Sequence, residues 1–346
     1  MAKVYCFTSS YMQFAELLRE YLPDVSVVNI NPSSTGIVDA EEERDLLENA
    51  EVVVGDPRIS ATYMLRCRKL KWFHSTYAGM KILNNSSYTI EKRKIHINTH
   101  TRKSKRPSFV LTRRSTGSKL SAEYVLCYIL AIERRLFQLL DYQKNKEWKM
   151  WDMSHIRTLD KVTVGLLGVG SIGEEVAKTC KERGMKVIGL VRNIDATKHK
   201  SPDVDVYLTY DKLPKLLEES DYICCLLPST QETRNLLSGD MLAHCYRKRG
   251  VLISIGRGDV VDEESIVKAI RNKWIGGAVL DVFTEEPLSA ESPLWSLPDV
   301  YITPHVSGWS RAPEFKEEIV EEFVSKFRMY QSGKPLPHII DWEKGY

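Results

Sequence analysis

The chain has 346 residues, 43% apolar and 27% charged, the balance of a folded globular protein and not of a disordered or fibrous one. That length suits two domains better than one core. The longest apolar run, Tyr124 to Ile132, falls far short of the ~20 residues a membrane helix needs. Met1 leads directly into the strand-like Lys3–Phe7, without the charged head and apolar stretch of a secretory leader. Seven cysteines, an odd number without repeating spacing, make neither a disulfide framework nor a zinc signature; a soluble, cytoplasmic protein without a metal site is expected. The net charge of +3 comes from one stretch. Lys92 to Lys119 holds ten Lys/Arg and no Asp or Glu, leaving 39 basic against 46 acidic residues elsewhere.

The first hundred residues alternate strand and helix patterns. Strands are predicted at Val4–Phe7, Val25–Ile30, Glu51–Gly55 and Leu70–His74, with helices near Gln13–Tyr21, Ala40–Asn49 and Ala61–Cys67. Such alternation predicts a parallel α/β layer structure. The basic stretch that follows contains Arg102-Lys-Ser-Lys-Arg106 and Pro107, has neither period, and reads as a loop or hinge insertion at 101–117. It lacks interleaved aromatics and sits in an otherwise acidic chain, which favours a solvated loop over a nucleic-acid patch or nuclear address. A single amphipathic helix is predicted from Ser121 to Lys146, carrying Val125, Leu126, Ile129, Leu130, Ile132, Leu136 and Leu139-Leu140. Its apolar surface exceeds what one sheet face needs and implies a two-fold dimer. A second alternating series has strands at Val162–Leu167, Lys186–Val191, Tyr222–Leu227, Val251–Ile255, Ala278–Asp281 and Val300–Thr303. A helix at Pro313–Gln331 closes the pattern, and no repeat of fixed period is visible.

The strand Val162–Leu167 runs into Gly168-Val-Gly170-Ser171-Ile172-Gly173, which opens a helix. In a dinucleotide site the first glycine permits the tight turn, the second lets a pyrophosphate approach the backbone, and the third lets helix pack on strand. The helix N-terminus adds free N–H groups and a partial positive charge. Three glycines alone are weak; here they occupy the strand–turn–helix context that gives the motif its meaning. At the end of the next strand, the acidic residue that would bind a ribose 2′-hydroxyl is missing, and Val191 is followed by Arg192. An arginine there accommodates a 2′-phosphate, a reading favoured over an ordinary solvated loop residue.

Three residues follow the C-terminal ends of later strands: Arg257 in Gly256-Arg-Gly-Asp259, Glu286 in Asp281-Val-Phe-Thr-Glu-Glu-Pro287, and His305 after Tyr301-Ile-Thr-Pro304. Taken singly, each has an ordinary reading as a surface charge, a solvated turn residue or a rim histidine. Together on one rim, an arginine, a carboxylate and a histidine form an acid/base site with an anion clamp. His74 and His244 read as element-edge residues, and Cys224-Cys225 as core.

These stretches resemble the D-isomer-specific 2-hydroxyacid dehydrogenases, in particular the glyoxylate/hydroxypyruvate reductase A branch. The resemblance also rests on Leu70-Lys-Trp-Phe-His-Ser-Thr-Tyr-Ala-Gly-Met80, Ala122-Glu-Tyr-Val-Leu-Cys-Tyr-Ile-Leu130, Leu227-Pro-Ser-Thr-Gln-Glu-Thr-Arg234 and Ser292-Pro-Leu-Trp-Ser-Leu-Pro-Asp-Val-Tyr-Ile-Thr-Pro-His305. It implies that Arg257 clamps the substrate carboxylate, His305 is the general acid/base and Glu286 holds it. The backbone of Tyr77, Ala78, Gly79 and Met80 would meet the same carboxylate. Gly168, Gly170, Ser171, Ile172, Gly173, Arg192, Leu227, Pro228, Ile255, Gly256, Arg257, Asp281 and His305 would line an NADP cofactor, NAD being the second choice. Lys161, where the family usually has glycine, and Ser115-Thr-Gly-Ser-Lys119, in place of a glycine-rich turn, depart from the pattern, as does the long basic insertion.

The implied architecture is α/β with two Rossmann-like domains and a cleft between them. Residues 1–100 plus 313–346 would form a flavodoxin-like substrate domain, 101–117 the basic hinge insertion, and 118–312 the doubly wound NAD(P)-binding domain. The implied activity is reduction of small 2-oxo acids, with hydride from the nicotinamide and a proton from His305, by a homodimer that binds neither membrane nor nucleic acid. The competing reading is a dinucleotide-sensing module of the same fold that acts through protein partners.

Overall fold

The computed structural model describes residues 2–7, 14–30, 38–64, 66–77, 109–195 and 200–340. The expectations for 78–80 and for the basic segment 92–108 lie outside the described residues. The chain divides into two compact units, one of Met1–Thr116 with Arg311–Tyr346 and one of Gly117–Ser310.

The first unit runs β1 (Lys3–Phe7), α1 (Phe14–Tyr21), β2 (Ser26–Ile30), α2 (Ala40–Asn49), β3 (Val52–Gly55), α3 (Pro57–Met64), β4 (Trp72–Ser75) and β5 (Val110–Arg113). The strands pair in parallel in the order β2-β1-β3-β4-β5, the flavodoxin-like arrangement. Both sheet faces are apolar because helices cover both, so Val52-Val-Val54 and Trp72-Phe73 are continuous buried runs with no polar alternation. The strand β5 corrects the reading of 101–117 as a structureless insertion. Phe109, Leu111 and Thr112 are buried, and Thr112 Oγ1 accepts from the indole of Trp72 at 2.9 Å. Flanking arginines and lysines conceal this short apolar run in the sequence. His74 is also not an edge residue: it is fully buried in β4, with Nδ1 2.8 Å from Thr112 Oγ1.

The second unit continues with α4 (Ser118–Glu133), α5 (Leu136–Lys144), β6 (Thr163–Leu167), α6 (Ser171–Lys181), β7 (Lys186–Leu190), β8 (Val206–Leu208), α7 (Leu213–Glu219) and β9 (Tyr222–Cys225). Then come β10 (Val251–Ser254), α8 (Glu263–Arg271), β11 (Gly277–Leu280) and β12 (Val300–Ile302). All seven strands are parallel in the order β12-β11-β10-β9-β6-β7-β8. This is the doubly wound order, whose switch point lies between β6 and β9. Cys224 and Cys225 are fully buried in β9 and belong to the apolar layers on its two opposite faces. The predicted helix Ser121–Lys146 is in fact two. Arg135, in a left-handed conformation (φ 51°), ends one helix and begins the next, and neither glycine nor proline marks the place. The apolar pattern runs across the break because Leu136, Leu139 and Leu140 all stay exposed.

The last helix, α9 (Pro313–Gln331), returns to the first unit, where Phe323, Phe327 and Tyr330 pack on the Trp72 ring. Beyond it, Ile340 donates to the Leu111 carbonyl and Ile339 bridges antiparallel to Thr112. Among the described residues no helix is long and apolar enough to cross a membrane.

Candidate active site

Each residue of interest in the second unit leaves the C-terminal end of a strand. The turn after β6 has Gly168 at φ +102°, a conformation that favours glycine. A Cβ on Gly173 would collide with the Gly168 carbonyl, so helix and turn meet only because residue 173 has no side chain. A Cβ on Gly170 would meet nothing within 4 Å, and Gly170 caps α6 without a side-chain hydrogen bond. The turn thus offers an open approach to helix N–H groups, which fits a pyrophosphate. Ser171 and Ile172, the first residues of the helix, are partly exposed there.

Glycines also set the spacing of the neighbouring loops. A Cβ on Gly256 would lie 2.7 Å from the Leu227 carbonyl, which brings the loop after β10 against the loop after β9. A Cβ on Gly258 would collide with the backbone of Phe283, so Arg257 is held beside the loop that bears Glu286. Arg257 is partly buried and its guanidinium donates to the Gly256 carbonyl.

His305 Nδ1 stands 2.7 Å from Glu286 Oε2. A carboxylate only accepts, so the Nδ1–H donates. Glu286 Oε1 accepts from the Phe283 N–H at 3.0 Å. Burial alone would raise the Glu286 carboxyl, but the hydrogen bonds from His305 and Phe283 and the charge of Arg257 outweigh it and hold it below the ordinary glutamate value. Arginine, glutamate and histidine are therefore brought together as the sequence suggests.

The turn that carries His305 is fixed by Asp281, which is fully buried. Its Oδ1 accepts from the Thr303 hydroxyl at 2.6 Å and the Val306 N–H at 2.8 Å, and its Oδ2 from the Ser307 N–H at 2.9 Å. These donors flank His305, whose φ of +58° is unusual for a side chain of its size. Tyr124 of α4 completes the chain, its phenol 2.7 Å from Thr303 Oγ1. Burial, foremost, pushes that phenol well above its usual value and keeps it neutral. The sequence reading gives neither Tyr124 nor Thr303 a place in the site, and only the fold brings them together.

Two of the expected ligand-facing residues have partners within the chain. Arg192, which follows Val191 after β7, pairs with Glu232 (Nη2 to Oε2, 2.7 Å), a residue the sequence reading passes over. The Tyr77 N–H, expected to face a ligand, donates to Ser75 Oγ at 3.0 Å, and the same hydroxyl donates back to the Tyr77 carbonyl. Ala78, Gly79 and Met80 lie outside the described residues. No group of three or more His, Cys, Asp or Glu suited to a metal occurs among the described residues.

A doubly wound parallel sheet with a glycine turn at its switch point defines the dinucleotide-binding class of α/β protein. Within that class the chain belongs to the D-isomer specific 2-hydroxyacid dehydrogenase family, whose NAD binding domain matches residues 126–307. The glyoxylate reductase of Aeropyrum pernix is 32% identical over 239 residues, covering 65% of this chain and 67% of that protein. Two solved structures align over 100% of both chains at 26% identity. One, with TM-score 0.82, is a D-isomer specific 2-hydroxyacid dehydrogenase from Xanthobacter autotrophicus Py2 in complex with NADPH and MES. The other, with TM-score 0.76, is an NADPH-dependent glyoxylate/hydroxypyruvate reductase from Sinorhizobium meliloti in complex with NADP and sulfate.

Proposed function

We propose that this chain is an NADP(H)-preferring reductase of small 2-oxo acids, glyoxylate and hydroxypyruvate foremost, with 2-hydroxy acids as products. The observation that carries the reading is the 2.7 Å His305–Glu286 pair beside Arg257, in a chain of this family. Relatives named as glyoxylate reductases, and a neighbour bound to NADPH, support the substrate class and the cofactor. The same names weigh against a module that senses dinucleotides and acts through partners.

In this reading the unit Gly117–Ser310 holds the cofactor. Gly168, Gly170, Ser171, Ile172 and Gly173 hold the pyrophosphate, Arg192 the 2′-phosphate, and Leu227 and Pro228 the adenosine side. Ile255, Gly256 and Asp281 hold the nicotinamide carboxamide. NADPH, when bound, supplies the hydride for the carbonyl carbon. Arg257 is permanently charged and forked, so it grips the planar carboxylate of a 2-oxo acid and sets its orientation. As negative charge grows on the carbonyl oxygen, protonated His305 donates from Nε2, since Nδ1 is committed to Glu286. Glu286 remains ionised and stabilises the imidazolium, while Asp281 keeps the turn from rotating the ring away.

The test is oxidation of NADPH and of NADH by the purified chain against a panel of 2-oxo acids. Turnover of glyoxylate or hydroxypyruvate, with a higher kcat/KM for NADPH, is expected. Tight NADPH binding without turnover of any 2-oxo acid would favour the binding module.

The chain is further proposed to act as a cytoplasmic homodimer. Exposed Leu136, Leu139 and Leu140 on α5, with Trp148 and Trp151 at 94% and 79% exposure, supply an apolar surface suited to a second copy. Buried free thiols at Cys6, Cys180, Cys224, Cys225 and Cys245 suit a reducing compartment. Sedimentation equilibrium should give twice the 39.7 kDa chain mass and revert toward one chain in Trp148→Ser/Trp151→Ser.

A further inference from the structure

In the seven-stranded sheet, β7 and β9 flank β6 on either side. Residues leaving the ends of β7 and β9 therefore stand to the left and right of the Gly168–Gly170 turn. Arg192 comes from one side and Glu232 from the other, and the two meet in a 2.7 Å ion pair. Glu232 lies in a loop cross-linked by its neighbour. Thr233 beside it is buried; its hydroxyl donates to the Pro228 carbonyl and accepts from the Thr230 N–H. Arg234 in the same loop is turned to Asp259, with Nε 3.6 Å from its carboxylate.

Resting on the NADP(H) reading above, we infer that Glu232 is a specificity-determining residue that opposes the 2′-phosphate. The carboxylate occupies guanidinium N–H groups that a 2′-phosphate would take. Once displaced, it remains a fixed negative charge close to a phosphate dianion, which it repels. A ribose 2′-hydroxyl meets the opposite situation: it is a donor, and the carboxylate is an acceptor already positioned on the adenosine side. Glu232 thus lowers the advantage of NADPH and lends some to NADH, so the chain discriminates between the two less sharply than Arg192 alone would allow. The exchange is accessible because both side chains are well exposed, at 37% and 57%, and exposed ion pairs are weak.

The test is calorimetric titration of the full-length wild type, Glu232→Gln and Arg192→Ala with 2′,5′-ADP, 5′-AMP, NADPH and NADH. Glu232→Gln should bind 2′,5′-ADP and NADPH about fivefold tighter, the scale of one exposed ion pair, with NADH unchanged or weaker. Its 2′,5′-ADP binding should also weaken more steeply with salt, because one more cation meets the phosphate. In an Arg192→Ala background the same substitution should bring a smaller gain. If wild type binds NADPH but Glu232→Gln binds 2′,5′-ADP no better, the inference falls and the reductase reading stands. Equal loss of all four ligands in Glu232→Gln would show a clasp over the adenosine and overturn the inference as well. A wild type that binds neither NADPH nor NADH would overturn both.

Discussion

Glu322 in the first unit and Asp281 in the second are both carboxylates removed from water, but their oxygens are satisfied in different ways. Glu322 on α9 lies 2.5 Å from Lys326, itself buried, and also accepts from the Ser115 and Thr116 N–H groups and the Thr116 hydroxyl. Asp281 accepts from one hydroxyl and two backbone N–H groups. A paired charge cancels and chiefly ties segments together, here α9 to the stretch after β5. A carboxylate met only by neutral donors instead dictates where those donors point. The first arrangement ties segments together; the second fixes the turn that carries His305.

The sharpest way to break the comparison is to remove what Asp281 positions. His305→Ala should lower kcat by roughly 10²–10⁴, as loss of a proton donor does, with NADPH affinity and melting temperature nearly unchanged. Near-normal kcat would exclude His305 as the acid and leave the Asp281 turn without its purpose.

Glu322→Gln should act in the opposite sense, on stability and not on chemistry. It leaves Lys326 buried without its counter-charge, at a cost of about 3–5 kcal/mol. The double variant Glu322→Gln/Lys326→Met should recover most of that loss in urea unfolding, because an apolar replacement of the pair removes the stranded charge. No recovery would mean that the N–H groups of Ser115 and Thr116, more than Lys326, depend on Glu322.

Thr303→Val keeps the shape and removes the hydroxyl that links Tyr124 to Asp281. About 1 kcal/mol of stability should be lost, with kcat reduced several-fold and the KM for NADPH unchanged. A raised KM with normal kcat would place Thr303 at the cofactor and not behind the histidine.

Acid sharpens the contrast more gently. Burial holds His74 neutral, pulling its titration down to about 3, with Lys326 adding to the effect. Unfolded histidine takes its proton near 6.5, so the unfolded state binds more protons below that pH and stability falls as pH drops. For Glu322, burial acts upward, but Lys326 and the donors around it win and hold it far below the glutamate range. Its contribution is complete above ~4.3 and drains as pH falls further. The first unit should therefore lose melting temperature ahead of the second between roughly pH 6.5 and pH 4. Simultaneous loss in both, followed by hydrogen exchange, would refute the assignment.

What the sequence makes legible is local. The glycine turn, Arg257, Glu286 and His305 each sit within a few residues of a strand end, and strand–turn patterns can be read in a short window. What stays hidden depends on contacts across the chain or on missing punctuation. Tyr124 and Thr303 meet across 179 positions. β8 has three residues, too few to show a period. β5 is concealed by the charges around it, and the Arg134–Arg135 break has no helix-breaking residue to announce it. The Arg192–Glu232 pair needs the strand order itself, because only β6 between β7 and β9 brings the two loops to one place.

The return of α9 to the first unit has a consequence for how the protein is made. Trp72 is fully buried under Phe323, Phe327 and Tyr330, and the β5 edge is met by Ile339 and Ile340. All these partners are translated only after the whole of Gly117–Ser310. At ~5–20 residues per second the ribosome takes roughly 10–40 s to cross that span, ample time for the second unit to fold. Throughout it, the five-stranded sheet that emerged first waits with an uncovered aromatic face. The N-terminal part of this chain is thus the last to be finished, its aromatic face closing only when α9 arrives.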